Sequence, residues 1–432
     1  MAKTSQKKKL AILVGGGPAP GINGVISSAT IEGVKQGFDV IGLRDGFKWL
    51  AQGDATHLLP LGINDVTGVN ARGGSILGTS RTNPARSEES MKNVLAVFHK
   101  LGVRALVTIG GDDTAFSASN VCRKGAGVIR VAHVPKTIDN DLPLPGSTPT
   151  FGFETARHFG TYIVRNLAED AKTTSRWYLI VSMGRAAGHI ALGIGKSAAA
   201  TLTVIPEEFR GRTVTLDEVC DTIIGSIIKR QAEGSHYGVV VLAEGLIESI
   251  GEKGLIAGVE GGHLERYGKV TRDDHGHLRL GEIEFGRLMK DLLTARLDKL
   301  GLKVTIVDKD LGYELRCANP IPFDTEYTRN LGYGAVKFLG SDESAKYGAI
   351  ISFVDGRMVP LPFDKMLNPQ TGRMQVRKVN VDGEAFECAR RYMIRLESED
   401  FSESRQLATL AATVKMKPKE FVSRFGYLVK PG

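Results

Sequence analysis

Cysteine is scarce: the 432 residues carry four, Cys122, Cys220, Cys317 and Cys388, each far from the next. No two have the close spacing of a metal-binding pair, and so thin a set builds no disulfide framework, so free thiols in a reducing compartment are expected. Missing too is any apolar run long enough to cross a bilayer. The apolar stretch after Lys7-Lys8-Lys9, Leu10 to Val14, is too short for a signal core and ends in glycine. Internal repeats and low-complexity tracts are absent as well. These absences point away from a membrane and toward the cytoplasm.

A concentrated basic patch is also lacking. The net charge is +8, but the excess is scattered, and its densest run is the terminal Lys7-Lys8-Lys9. No recognised nucleic-acid motif accompanies it, so small phosphorylated substrates explain a basic surface better than nucleic acid does. What remains is an ordinary folding composition, 42% hydrophobic and 24% charged. The length exceeds one usual core, which favours two domains.

Glycine is plentiful. The 52 glycines gather in clusters such as Gly15-Gly16-Gly17, Gly73-Gly74 and Gly110-Gly111, where backbone bends sharply or comes close to a ligand. Apolar runs at Leu10 to Val14, Ala105 to Ile109, Val128 to Val134, Tyr178 to Val181 and Gly238 to Leu242 read as short buried strands. Between them, Phe151 to Ala171, Leu216 to Ala232 and Ile283 to Leu300 read as helices. The fold class expected is α/β, with mostly parallel sheets flanked by helices and ligands at the carboxyl ends of strands. Ile256 to Leu280 reads as a hairpin or loop insertion, and the residues after Arg377, with a helical stretch from Glu384 to Leu396, as a terminal extension.

Five segments carry chemistry. Gly15-Gly16-Gly17-Pro18-Ala19-Pro20-Gly21-Ile22-Asn23 follows a strand and opens a helix, which suits a phosphate and equally an ordinary strand-to-helix turn. It is neither a Walker lysine loop nor a dinucleotide fingerprint. Gly110-Gly111-Asp112-Asp113-Thr114 offers either a metal-holding acid or a helix-capping turn. Pro135-Lys136-Thr137-Ile138-Asp139-Asn140-Asp141 packs a cation, a hydroxyl, two carboxylates and an amide after a strand. In extended chain Thr137, Asp139 and Asp141 would share one face, with Lys136 pointing elsewhere. Met183-Gly184-Arg185, with Arg176 upstream, and Tyr313-Glu314-Leu315-Arg316 offer arginines for phosphate or for structural ion pairs.

In order and spacing these segments resemble the phosphofructokinase family from about Leu10 through Val336. The motifs are GGGPAPGIN, LGTSR at Leu77 to Arg81, GGDDT, PKTIDND, FGFETA at Phe151 to Ala156, SMGR at Ser182 to Arg185, AEG at Ala243 to Gly245, and LGYELR. The resemblance implies an Mg2+-dependent kinase of glycolysis with Asp139 as proton acceptor for the sugar 1-hydroxyl. It makes Asp112, helped by Asp141, the metal acid. It implies that Thr137, Ile138, Asp139, Arg176, Met183, Gly184, Arg185, Glu244, Tyr313, Glu314, Leu315 and Arg316 hold fructose 6-phosphate. Arg176 would be contributed across a subunit interface, so a homodimer or homotetramer is implied. Val307 stands where ATP-using relatives carry an arginine, with Lys303 and Lys309 as the nearby cations.

The donor follows from two positions. ATP-using bacterial relatives read GGDG and PGTIDND; this chain reads GGDD and PKTIDND, like the pyrophosphate-dependent branch of the family. A carboxylate at Asp113 would repel the α-phosphate of ATP, and Lys136 would neutralise pyrophosphate and the departing phosphate, assisting catalysis together with Arg185. Gly16 and Arg81 are the remaining pyrophosphate contacts expected. The domains implied are 1–150 plus about 315–380 for the phosphoryl donor, and about 151–314 plus 381–432 for the sugar phosphate, with the active site in the cleft between them. The competing readings are an ATP-dependent 6-phosphofructokinase and a non-catalytic regulatory subunit.

Overall fold

A computed structural model gives the fold and describes residues 8–125, 127–259, 262–269, 271, 280–366 and 374–429. The chain divides into two compact units, Met1–Ala156 with Tyr313–Arg377, and Arg157–Gly312 with Lys378–Gly432. Among the described residues the strands are β1 (Lys9–Val14), β2 (Asp39–Leu43), β3 (Leu58–Leu61), β4 (Val103–Gly110), β5 (Arg130–Pro135), β6 (Trp177–Ser182), β7 (Leu202–Val204), β8 (Gly238–Ala243), β9 (Ile306–Leu311), β10 (Ala349–Val354) and β11 (Arg357–Pro362).

The first unit holds a sheet in the order β11-β10-β5-β4-β1-β2-β3. Its five central strands are parallel, and the edge strands β3 and β11 run antiparallel. Both faces are covered, which is why β1 and β4 are mainly apolar and, past Lys9 and Arg104, buried along their whole length. Side chains alternate across the sheet. Leu10, Ile12 and Val14 pack with the helices Ile22–Lys35 and Pro322–Leu339, while Ala11 and Leu13 pack with Glu88–Leu101 and Asp112–Lys124. Strand order reverses between β1 and β4, and crevices for ligands open at such points.

The second unit carries an all-parallel sheet in the order β7-β8-β6-β9. Its core includes the helices Leu216–Ala232 and Phe285–Lys299. The residues after Arg377 do not hang off as a bare extension: Leu396, Leu410, Ala411, Val414, Phe421 and Phe425 enter this same core. The helix Ser404–Thr413 carries Leu410 and Ala411, and Pro418–Phe425 carries Phe421 and Phe425, while Glu384–Arg391 and Ser398–Ser402 precede them.

Several expected boundaries move: the stretch read as helical from Glu384 to Leu396 ends at Arg391, and the helix read from Ile283 starts at Phe285. Val128 is half exposed in a turn after Gly127, whose φ is 75°, so the strand begins only at Arg130. The helix read from Phe151 starts at Phe153 instead, because the Asp324 carboxylate takes the amides of Gly152 and Thr155, each at 2.8 Å, and fixes the first turn there. Of the expected insertion at Ile256 to Leu280, a helix from Leu246 runs on to Gly258 and a short turn covers Leu264–Tyr267. Residues 260, 261, 270 and 272–279 lie outside the described residues.

Candidate active site

Three loops of the first unit leave the carboxyl ends of the adjacent strands β1, β4 and β5 and surround a cavity of about 260 Å3. The first loop is pinned before any ligand arrives: Gly15 N donates to Ile109 O and Gly16 N to Ser80 O, both at 2.8 Å. Thr79 Oγ1 donates to Gly16 O at 2.5 Å. Gly16 has a φ of 79°, and a methyl on Gly15 would overlap the Thr114 hydroxyl, so neither position takes a larger residue. Arg81, on the chain that holds this loop, lines the cavity.

The second loop ends at Gly111, and Asp112 and Asp113 form the first turn of the helix Asp112–Lys124. Acids there are stabilised by the positive end of the helix, but Gly111 holds the cap position and no side chain bonds to it as a cap, so the pair is not the capping turn that the sequence also allowed. Both carboxylates line the cavity. Met374 N donates to Asp112 Oδ1 at 3.1 Å, and Asn83 Nδ2 to Asp113 Oδ1 at 3.3 Å.

In the third loop Lys136, Thr137, Ile138, Asp139 and Asp141 all line that cavity. The extended alternation that would have turned Lys136 away does not hold. Asp139 N donates to Thr137 Oγ1 at 3.1 Å, closing a tight turn, and Asn140 sits in the left-handed region with a φ of 56°. Lys136 is buried and donates through Nζ to Gly17 O, across to the first loop. Burial pushes its pKa down to about 8, the cations Arg316 and Arg81 push the same way, and Asp139 and Asp141 oppose them. His133, buried one strand residue before Val134, is driven down to about 3 by desolvation and stays neutral, with Nδ1 at 2.8 Å from Thr108 Oγ1.

The cavity thus gathers three cations, Arg81, Lys136 and Arg316, against four carboxylates, Asp112, Asp113, Asp139 and Asp141. A polyanion entering such a lining needs a divalent cation with it. Among the described residues no three His, Cys, Asp or Glu side chains gather closely enough to hold a metal alone. The carboxylate oxygens of the lining are the donor type that Mg2+ takes, since it keeps its waters and binds through one or two carboxylates plus substrate phosphates.

The second unit builds its own group at the carboxyl ends of β6 and β8, where Ser182 and Ala243 are in register. Gly184 N donates to Glu244 Oε2 at 3.2 Å and Arg185 Nε to Glu244 Oε1 at 3.3 Å. Gly184 has a φ of 128°, and Met183 N donates to Leu311 O at 2.9 Å, so β9 braces the loop as well. The Arg185 side chain remains 62% exposed. Arg176 stands apart: it precedes Trp177 at the amino end of β6, and the six residues of that strand, about 20 Å of extended chain, separate it from Met183.

Residues 9–339 match the family model described as Phosphofructokinase. The chain belongs to the phosphofructokinase family. Among its relatives, a pyrophosphate–fructose 6-phosphate 1-phosphotransferase of Thermotoga maritima is 52% identical over 97% of this chain and 98% of that one. An enzyme of the same name from Naegleria fowleri is 48% identical over 98% of this chain and 96% of that one. A solved pyrophosphate-dependent phosphofructokinase from Marinobacter aquaeolei shares the fold, with a TM-score of 0.65 at 16% identity over 95% of this chain and 92% of that one.

Of the residues read from the phosphofructokinase motifs, the structure brings Gly16, Arg81, Asp112, Asp113, Lys136, Thr137, Ile138, Asp139, Asp141 and Arg316 to one cavity. Arg316, whose guanidinium lies against Gly17, joins the glycine loop there. Tyr313 is 77% exposed, and the Arg316 guanidinium stacks over its ring at 4.9 Å. Glu314 and Leu315 lie on the same short helix, Leu315 buried. Met183, Gly184, Arg185 and Glu244 form the second group. Sequence reading missed Asn83, Asp324 and Arg377, whose bonds to the site span 30, 172 and 237 residues. Asn140 alone had a local signal, since asparagine tolerates the left-handed region.

Proposed function

We propose that the chain catalyses reversible, magnesium-dependent phosphoryl transfer from pyrophosphate to the 1-hydroxyl of fructose 6-phosphate, giving fructose 1,6-bisphosphate and phosphate. The observation that carries the donor is the pairing of Asp113 and Lys136 on one cavity with the glycine loop. Two relatives of nearly full-length match bear the corresponding name.

Asp139 takes the proton of the sugar hydroxyl as its oxygen bonds to the near phosphorus, and the bridging P–O bond breaks with its electron pair going to the departing phosphate. Lys136 and Arg81 meet the charge that grows on that phosphate. Asp112, with Asp141, would hold Mg2+, which neutralises and aligns the phosphoryl oxygens when bound. Asp113 excludes ATP by repelling its α-phosphate. Glu244 takes sugar hydroxyls, Arg185 faces the reacting end, and Met183, Gly184, Thr137, Ile138, Tyr313, Glu314, Leu315 and Arg316 complete the sugar-phosphate contacts.

Arg176 completes the site of a neighbouring copy, a reading supported by its place at the far end of β6 from Met183. The working protein is then an oligomer, and its glycolytic substrates place it in the cytoplasm. Assay of the purified protein with fructose 6-phosphate and Mg2+ decides the donor. Turnover with pyrophosphate is expected; turnover with ATP alone would overturn the reading, and turnover with neither would favour a regulatory subunit.

A further inference from the structure

We infer that Arg377 is a positioning residue for the proton acceptor, holding the Asp139-Asn140-Asp141 turn in its working shape from outside the cavity. The inference rests on the proposed role of Asp139. Three bonds of one guanidinium carry it. Nε donates to Asn140 O at 3.1 Å, Nη1 to Thr148 O at 2.9 Å, and Nη2 to Asn140 Oδ1. The same Oδ1 accepts Thr150 N at 3.0 Å, so both ends of the 140–150 loop are tied through Asn140 and Arg377.

Asn140 is the residue that needs such support. Its φ of 56° is left-handed, a conformation that a non-glycine residue keeps only where its surroundings over-determine it. Asp139 precedes it and Asp141 follows it, so the aim of both carboxylates depends on that one backbone setting. Arg377 N also donates to Asp141 O at 2.7 Å. Three residues upstream, Met374 N donates to Asp112 Oδ1 at 3.1 Å while its side chain is buried in the core. The segment Met374 to Arg377 therefore ties the proposed metal acid Asp112 at one end and, at the other, Asn140 and Asp141, the residues that follow the proposed base. A planar fork suits this task, because its N–H groups leave from three separate nitrogens, whereas the three donors of an ammonium radiate from a single atom.

The test uses the full-length protein with Arg377→Ala and Arg377→Lys. For the alanine variant kcat should fall by roughly 100-fold, as a misplacement of about 1 Å costs. KM for both substrates should change less than kcat does, because Arg81, Arg185 and Glu244, which lie away from that turn, are untouched. Added guanidinium ion should restore part of kcat, and the lysine variant should remain slow although its charge is kept. Amide exchange of the peptide covering residues 136–150 should quicken in both variants, with the helix Leu216–Ala232 unchanged. A near-native kcat in either variant, a lost kcat without faster exchange in 136–150, or a lysine variant as active as the native protein overturns the inference. Should the alanine variant not fold, the lysine variant decides by the same readings. The native protein is assayed first with pyrophosphate and with ATP. Turnover with ATP alone would refute the proposed donor and leave this test intact with ATP in its place. With no turnover by either donor, exchange alone decides: faster exchange supports the brace and unchanged exchange refutes it.

Discussion

Lys136 donates through its ammonium to the backbone carbonyl of Gly17, so the cation of the third loop is stored against the first loop, where the donor is proposed to bind. Burial, with the charges of Arg316 and Arg81 added to it, outweighs the carboxylates Asp139 and Asp141, and the pKa of this ammonium falls to about 8. The site therefore keeps a cation that is expensive without an anion and well placed once one arrives.

A pH profile follows. In the free enzyme Lys136 is charged below about pH 8 and neutral above it, so kcat/KM for pyrophosphate should fall on the alkaline side, by up to tenfold per pH unit. Bound pyrophosphate favours the charged form, so the corresponding limb in kcat should lie at higher pH. Steady-state rates from pH 6 to 10 check both limbs. A flat kcat/KM through pH 9 would remove Lys136 from the role given to it.

The same burial sets stability against activity. The folded pKa of Lys136, about 8, lies below its unfolded value of 10.5, so between these the unfolded chain binds more protons and stability rises with pH. Below pH 8 the whole cost of the buried charge is present. Replacing it, Lys136→Met, should therefore raise Tm at pH 7, by about 2–4 °C for each kcal/mol relieved, with the gain shrinking toward pH 10.5. Turnover with pyrophosphate should drop by roughly 100- to 1,000-fold, as for loss of a group that stabilises transition-state charge. Calorimetry at pH 7 and pH 10 reads the first effect, and a lower Tm at pH 7 would contradict it.

Donor choice rests on Asp113, whose carboxylate is steadied by Asn83 at 3.3 Å. Removing the charge with Asp113→Gly relieves a repulsion of about 1–2 kcal/mol against the α-phosphate of ATP, roughly 5- to 30-fold in kcat/KM for ATP. Pyrophosphate turnover should fall less than that ratio rises. The double change Asp113→Gly with Lys136→Gly should extend the shift. Initial rates with each donor at fixed fructose 6-phosphate give the ratio, and an unchanged ratio in both variants would count against Asp113 as the discriminator.

What the sequence made legible was local. A strand that runs into a glycine or polar cluster announces a ligand loop, and β1 and β4 with glycines and β5 with a charged cluster each did so, because a parallel sheet covered on both faces is written as mainly apolar runs. Motif order then supplied the residues of the cavity. What stayed hidden acts across long separations: Asp324 caps the turn at Gly152, and Arg377 braces Asn140. Neither has a neighbour in sequence that marks it. The direction of Lys136 was misread for a related reason, since alternation holds only for extended chain and a left-handed residue ends it. The terminal helices looked like an appendage because Phe421 and Phe425 are spaced for a short helix and say nothing of the core that receives them.

That core yields the last prediction. Asp221, on the helix Leu216–Ala232, is fully buried and accepts from both terminal nitrogens of Arg424, one at 2.6 Å, and from Tyr427 Oη at 2.6 Å. Arg296 is a more distant cation at 3.9 Å. Removing the fork with Arg424→Met leaves a buried carboxylate short of its main partner, which costs about 3 kcal/mol. For a unit of this size that lowers Tm by about 6–12 °C. Removing both charges with Asp221→Leu and Arg424→Met should recover most of the loss, because the pair's attraction largely repays its own desolvation. Activity at 25 °C should stay near native in the double variant, since neither residue lines the donor cavity. A double variant no more stable than Arg424→Met alone would mean that the pair itself, rather than an orphaned charge, holds the terminal helices to the core.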